Sequence, residues 1–336
     1  LLLREELLLQ DGGTHLHFEL ICCLLYVISP IPAWCNTIMT ECISISLLVI
    51  NLYYIIKQIS NPSLKIAILN CFITIVLVFL RPTFIILLVF LPILWFALFI
   101  KSRNKHFCHS LLLSLVPLLL FCGYSLEYKK QYGKFSTTIS YECNSIFNLK
   151  RSKLWDPSCL EDPEEIEVCD FIDTYWDGAY RSIYNWANTR KNIIVIDKMC
   201  KTMIDHHKQD YTYYRIKKSI LALDSHLSTC TVSKRNSPFF FMYATTSLLT
   251  FHIGFIILVF LLGCLIQTIM FMKGHGISVT YLFLNLLGLG YSLGIMYAAT
   301  DSFGRLILPA YPLFILTLGF VITDSLLLIK GQSRQS

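Results

Sequence analysis

Two long apolar runs, 43–59 and 64–80, are separated only by the polar turn Ser60-Asn61-Pro62-Ser63. A helix needs about 20 mostly apolar residues to cross hydrocarbon. Inside lipid it must also satisfy its own backbone polar groups. A chain built this way folds as helices standing side by side in a bilayer, not around one aqueous core. Glu41 opens the first run and the pair Arg81-Pro82 closes the second. If both runs cross, the turn lies at one membrane face and Glu41 and Arg81 share the other.

Runs of this kind recur. The spacing predicts eight crossings, at 17–34, 43–59, 64–80, 83–100, 107–125, 247–272, 277–299 and 306–329. Phe239–Thr246 is expected along the interface. The chain is 55% hydrophobic and only 15% charged, where a soluble domain carries nearer a quarter charged residues. Pro117 falls inside the fifth crossing, where neighbouring helices can take up the freed carbonyl. Gly288, Gly290 and Gly294 in the seventh are small residues of the kind that let membrane helices approach closely. The expected fold is an all-α polytopic membrane protein of about eight transmembrane helices.

The charges are concentrated in one place. Residues 126–237 hold 17 Lys/Arg and 15 Asp/Glu, against 11 and 7 in the rest of the chain. This divides the sequence into a membrane part at 1–125, a small inserted domain at 126–237, and a second membrane part at 238–336. Within the insert, LEYKKQYGKFSTTISYE has strand-like β-branched and aromatic content. Asp162-Pro163-Glu164-Glu165 has the form of a helix start, and Ile193–Leu223 reads as helical. The domain is therefore expected to be mixed α/β or mainly α. No basic stripe with interleaved aromatics points to nucleic acid.

Lys and Arg in short loops set orientation. Lys57, Lys65, Lys101, Arg103, Lys105, Lys273, Lys330 and Arg334 fall on one set of connections, and only Arg81 and Arg305 on the other. The first set is expected to be cytoplasmic. Glu41, Arg81, the 126–237 domain, Asp301 and Arg305 are then extracytoplasmic.

Ionisable residues at membrane depth are functional candidates by default. Glu19 and Asp324, near cytoplasmic ends, read as interfacial charges. Arg81 and Arg305 each stand beside a proline-containing segment, and a guanidinium matches phosphate bidentately. The alternative is a snorkelling anchor at headgroup level. His206-His207, with Asp205 and Asp210 nearby, could suggest a metal. Adjacent positions on one helix face apart, however, so the pair reads as solvated. No cofactor is identified, and a divalent metal is left open. Thirteen cysteines include five in the polar segment, Cys143, Cys159, Cys169, Cys200 and Cys230. They lack CxxC spacing, which leaves their disulfide state open. There is no GxSxG, Walker loop, dinucleotide fingerprint or HExxH.

Taken together, a helix ending in Ser29-Pro30, the pair Thr40-Glu41 before an apolar run, the junction Arg81-Pro82, and a late Arg305-Leu306-Ile307-Leu308-Pro309-Ala310-Tyr311-Pro312 resemble a known family. It is the C-type integral-membrane glycosyltransferase superfamily, which includes the protein O-mannosyltransferases and the aminoarabinose transferases. The likeness covers about 20–125 and 280–325, and the insert matches nothing in it. It implies inverting transfer of a hexosyl or pentosyl group from a polyprenyl-phosphate donor to a glycan, lipid or protein acceptor. The transfer is expected at the outer face of a cell membrane of the bacterial inner-membrane kind. It also implies roles: Arg81, Arg305 and Tyr311 in substrate binding, and Glu41 and Asp301 as the acids that orient or deprotonate. The family's usual catalytic acid lies in a loop after an initial helix, and here the first helix leads directly to Thr40-Glu41. Two expectations follow: either the chain lacks the family's N-terminal part, and then keeps donor contacts without turnover, or Glu41 has taken over the base role. A flippase of polyprenyl-linked glycans and a non-enzymatic envelope scaffold are the rival readings.

Overall fold

A computed structural model describes residues 40–137, 140–176, 189–224, 252–272, 278–298 and 306–329. Their regular elements are helical. The longer ones are α1 (Thr40–Ser60), α2 (Leu64–Leu80), α3 (Ile86–Ser102), α4 (Lys105–Tyr132), α5 (Ser140–Ser152) and α6 (Pro163–Tyr175). They continue with α7 (Arg190–His206), α8 (Lys208–Ala222), α9 (Ile253–Met272), α10 (Val279–Ala298) and α11 (Tyr311–Ile329). Short 3₁₀ turns lie at Pro82–Ile85, Pro157–Cys159 and Leu308–Ala310.

Among the described residues, five helical stretches are long and apolar enough to cross a membrane: Ile43–Ser60, Pro82–Ser102, Lys105–Tyr132, Ile253–Met272 and Val279–Tyr297. Leu64–Leu80 and Leu308–Ile322 are shorter apolar helices, and the expected crossing at 17–34 lies outside the described residues. These are the helices of a multi-pass membrane protein. Their faces bear this out. Along α3 and the turn before it, Ile85, Val89, Ile93, Phe96 and Ile100 are exposed, at steps of three and four that trace one face. Leu87, Leu88, Leu91, Leu94, Trp95 and Leu98 are buried on the other. A continuous apolar stripe of this size is costly in water and costs nothing against lipid tails.

The chain divides into two compact units. The first takes in Leu1–Leu118, Ala222–Met296 and Ser302–Ser336. In it α1 and α2 form an antiparallel hairpin. Ser63 caps α2 by accepting from the Ile66 N–H at 3.3 Å, and Gln58 Oε1 accepts from the Ser63 N–H at 2.9 Å. Midway along the hairpin, Asn51 Nδ2 donates to Thr74 Oγ1 at 3.0 Å and Asn70 Nδ2 donates to the Asn51 carbonyl at 3.3 Å. Gln58 Nε2 also reaches Ser110 Oγ on α4 at 2.7 Å. Lipid offers no hydrophobic drive to bring helices together, so such bonds and close packing do that work.

Glycines serve the same end on α9 and α10. A Cβ on Gly263 would sit 2.6 Å from Asn285 Nδ2, and Asn285 is buried with its Oδ1 accepting from Thr317 Oγ1 of α11 at 2.8 Å. A Cβ on Gly288 would run into the buried ring of Phe260, and one on Gly290 would meet Ile86 Cδ1 at 2.9 Å. Gly294 differs from the sequence reading: among the described residues nothing lies within 4 Å of its Cβ position. It is a small residue without a close approach to serve.

The second unit takes in Leu119–Leu221 and Tyr297–Asp301, and so begins inside α4. Helices α5, α6 and α7 enclose a core that includes Ile146, Leu149, Ile172, Ile196, Met199 and Met203. The strand-like reading of 126–142 is overturned. Residues 126–132 continue α4, Gly133 turns the chain at φ 81°, and α5 begins at Ser140. β propensity yielded here to the amphipathic packing of helices around one core. The helix start at Asp162 holds, its carboxylate accepting from the Glu164 N–H at 2.9 Å. The helical reading of Ile193–Leu223 holds for most of its length, as α7 and α8, with a break at His207. Cys143, Cys159, Cys169 and Cys200 are free thiols. Burial pushes Cys143 and Cys169 up to about 12, far from a reactive thiolate.

Candidate functional site

The junction between α2 and α3 is dictated by proline. A residue before proline is pushed out of the helical region, and Arg81 is extended at φ −144°, ψ 117°. Its N–H still closes the last turn of α2 on the Leu77 carbonyl at 3.0 Å, and its carbonyl accepts from the Phe84 N–H at 3.0 Å. Pro82 then opens the 3₁₀ turn, where a missing N–H costs nothing. The Arg81 side chain is 7% exposed, so it is enclosed by protein and not displayed at the surface.

Tyr291 of α10 ties this junction to the late proline-containing stretch. Its hydroxyl donates to the Leu306 carbonyl at 3.0 Å and is hydrogen-bonded to Thr83 Oγ1 at 3.2 Å. The carbonyl can only accept, so the phenol proton goes to Leu306 and Thr83 donates to the phenol oxygen. The Tyr291 ring lies 5.7 Å, centroid to centroid, from that of Phe84. Beyond Leu306 the backbone makes the 3₁₀ turn Leu308–Ala310, whose three residues are buried, and α1 packs against this turn.

Pairings along the α1–α2 hairpin, Gln58 with Ser63 and Asn51 with Asn70 and Thr74, set its register. Within the first unit, Tyr291 thus joins the segment after Arg81 to Leu306, and α1 packs on the Leu308–Ala310 turn that follows. Tyr311 opens α11 but is 1% exposed, its ring 5.2 Å from that of Phe314; it is part of the core. The Glu41 side chain, Asp301 and Arg305 lie outside the described residues. Tyr291 and Thr83 escaped the sequence reading because neither is charged, although Thr83 directly follows Arg81-Pro82.

One group among the described residues has the donors for a metal ion. Asp156, His206 and His207 each offer a ligand atom within 4.8 Å of the others. Asp205 and Asp210, the sequence neighbours considered first, are not part of it. Asp156 arrives from the turn between α5 and α6, a partner that spacing along the chain could not have revealed.

No family model matches the chain, and neither does any curated protein or solved structure.

Proposed function

We propose that this chain is a membrane glycosyltransferase that moves a sugar from a polyprenyl-phosphate donor to an acceptor hydroxyl at the outer membrane face. The observation that carries the reading is that Tyr291 bonds both Thr83 of the Arg81-Pro82-Thr83 junction and Leu306, while α1 packs against the Leu308–Ala310 turn. In sequence these segments lie far apart and share only their likeness to one superfamily. Arg81 would bind the donor phosphate through its planar fork, with Arg305, the residue before Leu306, as the second cation. Burial of Arg81 favours that role over a lipid-surface anchor.

In the reaction, the acceptor oxygen attacks the anomeric carbon as the bond to the phosphate oxygen breaks. The phosphate leaves with the bonding electron pair, and the acceptor proton passes to a carboxylate, Asp301 or Glu41. The arginines stabilise charge gathering on the leaving phosphate. Orientation follows the Lys/Arg bias of the short loops, with the polar insert outside.

The test is donor binding by the purified protein with a short-chain polyprenyl-phosphate sugar. Arg81→Ala should weaken binding by about 1.5–3 kcal/mol, the worth of a hydrogen bond to a charged group. Arg81→Lys keeps the charge without the fork and should recover only part. Donor binding unchanged in both variants would overturn the assignment.

A further inference from the structure

The second unit holds a cluster that sugar transfer does not use. Asp156 caps the 3₁₀ turn Pro157–Cys159, and its Oδ1 accepts from the Ser158 N–H at 3.0 Å and the Ser158 hydroxyl at 2.6 Å. These bonds fix the carboxylate and leave Oδ2 facing His207 Nε2 at 3.1 Å. The His206 and His207 rings are set edge to face with centroids 4.7 Å apart.

This arrangement depends on the break between α7 and α8. Within one continuous helix, successive side chains diverge by about 100°. His207, at φ −109° and ψ 34°, leaves the helix, which lets both rings serve one point. The backbone on either side is anchored. The His207 N–H donates to the Met203 carbonyl at 3.1 Å, and the His207 carbonyl accepts from the Tyr211 N–H at 2.9 Å. Met203 belongs to the core of this unit, and Leu154, Trp155, Cys159 and Tyr211 pack against it. Both ligand-bearing segments are therefore mounted on the same packed core.

We propose that Asp156, His206 and His207 bind one divalent transition-metal ion of the zinc class. In a tetrahedral site with bonds of about 2.0–2.1 Å, neighbouring ligand atoms lie about 3.3 Å apart, close to the separation of Asp156 Oδ2 and His207 Nε2. The ion takes the place of the proton between them, and His206 supplies the third ligand. Two imidazoles and one carboxylate favour zinc and its neighbours over magnesium or calcium. A fourth position remains for water. Bound there, the ion clips the segment before α6 to the break between α7 and α8.

The experiment titrates Zn²⁺ into the full chain in detergent against a chromophoric chelator. His206 is exposed, so His206→Gln removes a ligand without disturbing packing. His206→Gln and Asp156→Asn should each weaken one zinc equivalent at least tenfold. Asp205→Asn and Asp210→Asn should bind as the unaltered chain does. Zinc should also slow amide exchange at 156–159 and 206–211, and this effect should be absent in His206→Gln. Cysteine-bound zinc is common to all variants and cancels in the comparison. Equal stoichiometry and affinity in the unaltered chain, His206→Gln and Asp156→Asn would overturn the proposal.

Discussion

The Tyr291 hydroxyl donates to the Leu306 carbonyl across a 3.0 Å bond, joining the body of α10 to the approach to α11. The same oxygen is bonded to Thr83. One phenol therefore holds the segment after Arg81 and the segment after Arg305 to a single point. Tyr291→Phe keeps the ring against Phe84 and removes these bonds. Side-chain bonds between membrane helices are worth about 0.6–1.7 kcal/mol each, so thermal unfolding in detergent should show a loss of about 1–3 kcal/mol. Donor binding should fall with it, because the two arginine-bearing segments lose their common tether. A Phe variant with the stability and donor affinity of the unaltered chain would reduce Tyr291 to a packing residue.

The helices were legible because the apolar runs are long and the loops short, and the end of α2 was legible because Arg81 precedes a proline. What sequence could not reveal was which distant segments meet. Tyr291, inside an apolar run, looks like an interfacial aromatic until its hydroxyl is seen between Thr83 and Leu306. Asp156 looks like an ordinary turn residue until the α7–α8 break brings His207 to it. The strand reading of 126–142 failed for another reason. β-branched and aromatic residues fit a helix well when a core is available to one face, and tertiary packing overrides so weak a preference.

Two glycines on α10 should respond oppositely to alanine. At Gly288 the added methyl meets the buried Phe260 ring, which cannot swing away, and overpacking of this kind costs about 1–3 kcal/mol. Gly294 faces open space, and alanine there should be neutral or stabilising, since glycine costs about 1 kcal/mol relative to alanine inside a helix. Unfolding midpoints of Gly288→Ala and Gly294→Ala measured side by side would check this. Equal shifts would contradict the packing of α9 on α10.

Acid should loosen the second unit before the membrane helices. Burial pushes the Asp197 carboxyl up, but hydrogen bonds from Lys134 and Lys201 outweigh it and hold it below its ordinary range. Ser158 and then His207 lower Asp156, and Lys198 with the Glu164 N–H lowers Asp162. A depressed carboxylate contributes stability that is complete above its unfolded value of 3.8 and lost as pH falls through the folded value. Lys134 works at the other limit. Burial lowers it, yet hydrogen bonds to Asp197 and Glu142 leave it raised above 10.5, so its contribution is lost as pH climbs through the folded value. Amide exchange in α5–α7, corrected for intrinsic rates, should show flat protection near neutrality and a decline below about pH 4. Protection that falls already between pH 7 and 5 would point to other groups.

The orientation of the chain has its own test. A cysteine introduced at Asn188, in the polar insert, should react with a membrane-impermeant maleimide on intact cells. Labelling only after lysis would reverse the topology and leave the outer-face chemistry without a basis.

Glu41 and Asp301 should separate into two roles. Glu41 is the second residue of α1, and the dipole at a helix start stabilises a carboxylate as the anion. That suits Glu41 to orienting an acceptor or an arginine more than to taking a proton. Asp301, shortly before Arg305 in sequence, is then the proton acceptor of the pair under the proposed reaction. A positioned base contributes about 10²–10⁴-fold to rate. Asp301→Asn should therefore lower kcat by that order with donor affinity intact, while Glu41→Gln should cost about tenfold or less. The measurement is single-turnover transfer from a polyprenyl-phosphate sugar, with donor binding measured in parallel. If Glu41→Gln abolishes transfer and Asp301→Asn spares it, the assignment is the reverse, and the first turn of α1 carries the base.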